Sequence, residues 1–412
     1  MPDTRNIATN RRPRRRRRRI HFPWLFTFIL FVAAALIFSL NQYHQDLDEL
    51  AAQTEPVVPV GSAAIGDTLT IAAAGDVSIS PELLRYAVQP DGSYDFSAML
   101  LDVSALLSDA DLTVANLETN ICNGDPATGD FQAPQSLLTA LRTAGVDILQ
   151  TANSTSIYNG LSGLTETYEA VEAAGMKAVG TFPTPQTRKD CGGFTLVELK
   201  GFRVAFVAFT KGVGNLRLPE GAQSSVNLLY TDYNTTYQEV DTQGIRAVME
   251  RVQDAKPDIT IALLHWGSEY DTGISKSQKA IASLLMEYGV DAILGTHPHI
   301  LGQVDSVSHP GTLTAYSLGD LLRTDDNAST KQSMVLKLEF TKTIDGTVVT
   351  SWSHTPIYVA TAQDAGSPQV LHVANAIGRH EAGLLERISD ELYQTLLTVE
   401  ENVAERLEVT EE

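Results

Sequence analysis

Asp258-Ile-Thr-Ile-Ala-Leu-Leu264 runs into His265-Trp-Gly-Ser-Glu-Tyr270, and Val290-Asp-Ala-Ile-Leu294 runs into Gly295-Thr-His-Pro-His299. The two apolar runs have the length of buried strands. Between them, Ser277 to Tyr288 carries apolar residues at helical spacing, and Gly289 closes the helix. A strand–helix–strand unit of this length predicts two parallel strands with a crossover helix. Three imidazoles, His265, His297 and His299, then fall just past the carboxyl ends of those strands. In open α/β sheets that edge is where ligands bind, and neutral imidazole is the commonest metal ligand. A single strand-end histidine is ordinarily a hydrogen-bonded loop residue; three in this arrangement point to a site.

The pattern extends outward. Leu69 to Ala74 reads as a strand ending at Gly75-Asp76, Leu112 to Ala115 as one ending at Asn116-Leu-Glu118, and Val146 to Ala152 as one ending at Asn153. Helices are predicted over Ser97 to Ser108, Pro134 to Ala144, Leu164 to Ala174 and Thr242 to Ala255, with a further strand over Arg203 to Phe209. The later chain is strand-rich, over Thr312 to Ser317, Ser333 to Phe340 and Thr347 to Trp352. Early βα alternation followed by β-rich sequence predicts a layered α/β domain with some antiparallel strands. From Asn375 onward, Ile377, Leu384, Leu385, Ile388 and Leu392 repeat at helical spacing in an acidic tail.

Five strand ends thus carry residues of ligand type: Asp76, Glu118, Asn153, His265, and His297 with His299. Oxygen donors mixed with imidazoles suit Mn²⁺, Fe or Zn²⁺ better than Ca²⁺. Each position also has an ordinary reading as a turn, a helix cap or a solvated side chain. Repetition at one edge of one sheet favours the divalent metal. His265 and Glu269 are the candidate catalytic residues. Asn116, Trp266, Tyr270 and Asp320 are candidates for orienting the ligands.

The N-terminus is of another kind. Nine of the 30 basic residues are arginines before Ile20, where the sole acid is Asp3; the rest of the chain holds 21 basic and 49 acidic residues, a net of −28. A body that acidic excludes nucleic-acid binding through its surface and attracts cations. Phe22 to Leu40 contains no charged residue over nineteen positions, long enough to span a bilayer. The arginines keep their side cytoplasmic, which places the chain after Asn41 outside. A cleaved signal peptide would have a shorter apolar region and a small-residue cleavage site. The expected organisation is a cytoplasmic segment over 1–21, an anchor over 22–40, an exposed linker over 41–66, the main domain over 67–362 and a helical tail over 363–412. Cys122 and Cys191, both on the outer side, are expected to form a disulfide, with two unpaired thiols as the alternative.

The chain resembles the CapA family, the capsule and poly-γ-glutamate biosynthesis proteins whose fold is like that of the calcineurin-type metallophosphoesterases. The resemblance is carried by Gly75-Asp-Val77, Asp111-Leu-Thr-Val-Ala-Asn-Leu-Glu-Thr119, Ala144-Gly-Val-Asp147, His265-Trp-Gly-Ser-Glu-Tyr270, Gly295-Thr-His-Pro-His299 and Tyr316-Ser-Leu-Gly-Asp320. It implies a four-layer αββα sandwich. It also implies that Asp76, Glu118, His265, His297 and His299 stand at metal-site positions. One motif departs. Where the family shows Ala-Asn-Asn-His-x-x-Asp-x-Gly, this chain has Ala152-Asn-Ser-Thr-Ser-Ile-Tyr-Asn-Gly160, so that Ser154, Thr155 and Tyr158 replace an Asn, a His and an Asp. Neither hydroxyl is an effective acid near neutral pH. Asp320 likewise replaces the usual Asn. The expected function is a membrane-anchored, extracytoplasmic protein in synthesis, export or attachment of an anionic envelope polymer, acting as a metal-dependent hydrolase or transferase. A non-catalytic binder of polymer or partner proteins, and a metallophosphoesterase on nucleotides or lipid-linked phosphates, are the alternatives.

Overall fold

The computed structural model describes residues 66–124, 126, 131–325, 327–384 and 388–407. The apolar segment 22–40 lies outside these residues. Among the described residues no helix is long and apolar enough to cross a membrane.

Among the described residues sixteen strands run in chain order: β1 (Thr68–Val77), β2 (Leu112–Leu117), β3 (Asn120–Cys122), β4 (Gln132–Pro134), β5 (Ile148–Gln150), β6 (Lys177–Val179), β7 (Thr195–Leu199), β8 (Phe202–Thr210), β9 (Ile259–His265), β10 (Ala292–Thr296), β11 (Val304–Asp305), β12 (Leu313–Ala315), β13 (Asp320–Leu322), β14 (Gln332–Thr343), β15 (Gly346–Ala360) and β16 (Gln369–His372). They form two main sheets. The first is ordered β16-β15-β14-β1-β2-β5-β6, with β13 beside the end of β1; the second is ordered β11-β12-β10-β9-β8-β7. In each sheet the central strands are parallel and an outer flank is antiparallel.

The two sheets pack face to face. Leu69, Ile71 and Val114 of one sheet share a core with Phe206, Ile261 and Leu294 of the other. Outside the first sheet, Ala72, Ala115 and Leu149 pack under helices that contribute Leu83, Leu137 and Val171. Outside the second, Val207, Ala262 and Ile293 pack under Ile245, Val248, Ile281 and Leu285. The result is the expected αββα sandwich. With both faces of each sheet covered, β9 and β10 are buried at every residue, which is why they read as unbroken apolar runs rather than alternating ones.

Two expectations need correction, and one left open is resolved. The helix over Ser97 to Ser108 is two short helical segments, 97–100 and 104–108, joined by a 3₁₀ turn. The Ser104 hydroxyl donates to the Leu101 carbonyl at 2.8 Å, a local bond that competes with a regular helix. The tail, which by sequence could pack on the domain or hang loose, packs on it: β16 pairs with β15, and the helix Asp390–Leu407 buries Leu392, Leu396, Val399, Val403 and Leu407 in the inter-sheet core. No disulfide joins Cys122 to Cys191. The Cys122 Sγ faces the Ala133 carbonyl across the short β3–β4 ladder, at 3.4 Å. The Cys191 Sγ folds back on its own helix, 3.6 Å from the Arg188 carbonyl.

Candidate metal centre

Register brings the ligand-type residues to one level. Asp76 on β1 stands opposite Asn116 on β2 and opposite Asp320 on β13; Thr296 on β10 stands opposite His265 on β9. Two glycines permit the approach of these ends. A Cβ on Gly75 would lie 1.8 Å from the Gly319 carbonyl oxygen, and one on Gly295 would lie 2.2 Å from the Tyr316 carbonyl oxygen. His297 and His299 follow the end of β10 with positive φ, +94° and +59°. Backbone strain of that kind in a non-glycine residue concentrates at functional sites.

Five of the expected residues meet in one cleft, and Asp320 joins them. The His299 Nδ1 is 2.9 Å from an Asp320 oxygen and 3.2 Å from an Asp76 oxygen, and its Nε2 is 3.7 Å from the Glu118 Oε2. The His265 Nε2 is 3.4 Å from the Glu118 Oε1. The His265 and His297 rings lie 4.5 Å apart. Two sets have donor atoms close enough together to share an ion: Glu118, His297 and His299, and Asp76, His299 and Asp320. His299 belongs to both. Asp320, expected only to orient a ligand, is thus itself within the cluster.

The electrostatics identify a shortage of positive charge. All these groups are buried. For His299, burial opposes protonation, but the hydrogen bonds to Asp320 and Asp76 prevail and hold its pKa well above the ordinary value. For Asp76, burial is likewise outweighed, here by His299, Asn116 and the His297 amide, and the carboxyl is held low. Burial together with the Asp76 charge pushes Glu118 up to about 8, and burial pushes Asp320 up to about 6. Burial, then the nearby cations, lowers His297 to about 3 and His265 well below its usual value. Asp76 and Asp320 therefore face one imidazolium while burial and the Asp76 charge keep Glu118 protonated, because buried charge without compensation is costly. Glu118 Oε2, Asp320 Oδ2 and His297 Nδ1 are buried with no hydrogen-bond partner. Orphaned acceptors of this kind are rare in folded proteins. Carboxylate oxygens and imidazole nitrogens with unspent lone pairs in one cleft fit a divalent metal ion.

The remaining candidates divide. Asn116 donates to the Asp76 Oδ1 at 2.5 Å and lies 3.4 Å from the His265 Nδ1, so it orients two of the cluster's groups. Asn153, expected as a ligand, has spent its amide: it donates to Asn116 Oδ1 and the Leu117 carbonyl, and accepts from the Thr155 N–H and hydroxyl. It holds Asn116 instead. Trp266 turns away from the cluster, into the outer core, where its indole donates to the Tyr316 carbonyl at 3.0 Å. Glu269 is exposed and stands in neither donor set, because the chain after His265 leaves the cleft through Gly267 and Tyr270, both at positive φ. Tyr270 stays beside the site, its ring 6.2 Å from that of His299. At the departing motif, Ser154 Oγ lies 2.9 Å from the His265 Nε2, and the Thr155 hydroxyl is committed to Asn153.

Two cations at the rim escaped the sequence reading. Arg323 follows β13, and its Nη2 donates to the Tyr270 hydroxyl and to Asp325. Lys211 follows β8 and donates from Nζ to the Gly267 carbonyl at 2.6 Å. Both obey the strand-end rule that revealed the histidines; β13 is too short to be seen as a strand, and Lys211 was not of ligand type.

The model of the family described as bacterial capsule synthesis protein PGA_cap matches residues 70–325, a span that contains every residue of the cluster. This chain belongs to that family. It is similar to the capsule biosynthesis protein CapA of Bacillus anthracis, with 25% identity over 297 residues, covering 69% of this chain and 67% of the relative. It is also similar to the PGA biosynthesis protein CapA of Bacillus subtilis strain 168, with 32% identity over 85 residues, 21% of this chain and 22% of the relative. Among solved structures, the calcineurin-like phosphoesterase YfkN from Bacillus subtilis aligns with a TM-score of 0.39 and 15% identity, over 82% of this chain and 98% of that one. The family carries a capsule-related function.

Proposed function

We propose that this protein is a membrane-anchored, extracytoplasmic member of its family that acts on, or holds, an anionic envelope polymer of capsule or poly-γ-glutamate type through a divalent-metal site. The observation that carries this reading is the pair of overlapping buried donor sets with three orphaned acceptor atoms. Asp76, Glu118, His297, His299 and Asp320 would hold the metal. A bound divalent ion there supplies Lewis acidity toward a phosphoryl or amide oxygen and makes water a stronger nucleophile. The chain's own groups do the rest. Asn116 fixes Asp76, Asn153 fixes Asn116, and the buried setting strengthens every charge interaction in the cleft. The names of the Bacillus relatives and the arginine-flanked apolar segment support the polymer class and the anchored topology.

A second reading, a member that binds polymer without cleaving it, is favoured by one observation. Ser154 caps the His265 Nε2, and no residue of the departing motif offers an acid to protonate a leaving group. The full-length chain, purified in detergent and supplied with Mn²⁺, is therefore expected to hydrolyse a generic phosphodiester weakly or not at all. Rapid hydrolysis that His265→Ala abolishes would contradict this and restore the phosphoesterase reading.

A further inference from the structure

We propose that Arg323 is the anion-recognition residue of this cleft, engaging an oxyanion of the substrate, a carboxylate or a phosphate, while the remainder of the substrate faces the carboxylate–imidazole cluster. The inference rests on the proposed function and adds the group that reads the substrate's charge.

Arg323 stands three residues after Asp320, and its guanidinium is largely buried at the mouth of the cleft. Both of its recorded hydrogen bonds leave from one nitrogen: Nη2 reaches the Tyr270 hydroxyl at 3.2 Å and the Asp325 Oδ2 at 3.3 Å. Nε and Nη1 have no hydrogen-bond partner among the described residues. Tyr270 in turn reaches Asp325 at 3.2 Å and lays its ring beside His299. These contacts aim the side chain and leave most of its donor fork unspent. An arginine fork matches a carboxylate or phosphate through two parallel hydrogen bonds. Asp325 already shows that a carboxylate fits against this guanidinium.

The need for such a residue follows from the charge of the cleft. The Asp76 and Asp320 carboxylates repel an incoming anion, and the body of the protein carries a net charge of −28. Arg323 and Lys211 are cations whose fields reach the cluster. The Lys211 ammonium is already engaged by the Gly267 carbonyl and lies over the Tyr237 ring at 4.6 Å. Arg323 is the one that offers a planar fork, with Nε and Nη1 unpaired among the described residues. An ordinary surface ion pair is the competing reading, and it would contribute little. It does not account for a largely buried guanidinium held by a tyrosine whose ring stands beside His299.

The test is calorimetric titration of the full-length chain at low salt with two probes, a γ-linked glutamate decamer and inorganic phosphate. The wild type should bind at least one of them. Arg323→Gln should weaken that probe by about tenfold or more, while the metal stays bound and the fold intact, since among the described residues Arg323 hydrogen-bonds to Tyr270 and Asp325 and to no residue of the donor sets. Arg323→Lys, which keeps the charge without the fork, should recover part of the affinity. The probe that responds tells a carboxylate polymer from a phosphate. Wild-type binding that survives Arg323→Gln undiminished overturns this inference and leaves the proposed function standing. Failure of the wild type to bind either probe overturns both.

Discussion

Four aspartates set the level at which the site is built. Asp111, Asp147, Asp258 and Asp291 each stand immediately before a parallel strand. Each accepts from the backbone N–H of the neighbouring strand, at Thr70, Thr113, Arg203 and Thr260, within 2.8–2.9 Å. Each also donates its own N–H to the carbonyl of that same residue. The clamp fixes the register of the strand pairs at their amino ends, and so the height of the side chains at their carboxyl ends. Asp111, Asp147 and Asp258 have cationic partners in Lys200, Arg142 and Lys342. Asp291 has none among the described residues, and burial pushes its carboxyl up to about 7. A folded-state pKa above the unfolded value means stability that is complete below about pH 4 and lost as pH rises through 7. Asp291→Asn keeps the oxygen that accepts from Thr260 and removes the titration. Between pH 5 and pH 8 the wild type should lose about 1–2 kcal/mol relative to this variant in urea unfolding, a figure reduced for partial solvent screening. Parallel pH profiles for the two proteins would show that Asp291 does not titrate in that range.

At the scale of the elements, the cleft depends on strand ends approaching closer than side chains allow. Gly75 of β1 and Gly319 before β13 are the tightest case. Gly75→Ala must push the β1 and β13 ends apart, at a cost of about 1–3 kcal/mol, and should carry Asp76 away from Asp320. A lowered melting temperature together with reduced metal retention is the expected outcome; unchanged values of both would mean that the approach is not needed. These elements were partly legible in advance. The strands β1, β2, β8, β9 and β10 are apolar runs with clear ends, so Asp76, Glu118, His265, His297 and His299 could be placed at one edge from the sequence. Strand β13, at three residues, carries no period, and with it Arg323 went unseen. Asn153 looked like a ligand because sequence shows an amide but not its partners. Glu269 looked like a catalytic residue because sequence does not show the positive φ at Gly267, which precedes it where the chain leaves the cleft. The Cys122–Cys191 pairing failed for a similar reason: compartment and number are sequence properties, whereas Sγ orientation is a tertiary one.

At the scale of the whole molecule, a strongly acidic domain with a cation-seeking cleft follows an arginine-rich start and an apolar segment. If that segment anchors the chain with its arginines inside, protease added to intact cells should digest the region after Asn41; complete protection in membranes that still carry the protein would reverse the topology. The tail belongs to the same body, since its helix closes the inter-sheet core with Leu396, Val399 and Val403. Three buried carboxyl groups, one imidazolium and three orphaned acceptors give the cleft its demand for a divalent cation. Elemental analysis of the full-length chain, purified in detergent after exposure to Mn²⁺, Fe²⁺ and Zn²⁺ in turn, tests that demand most directly, with His299→Ala as control because His299 serves both donor sets. The wild type should retain at least one equivalent of one of these metals through extensive dialysis, and His299→Ala should lose most of it; a wild type that retains none, or a variant that retains as much, would contradict the metal centre.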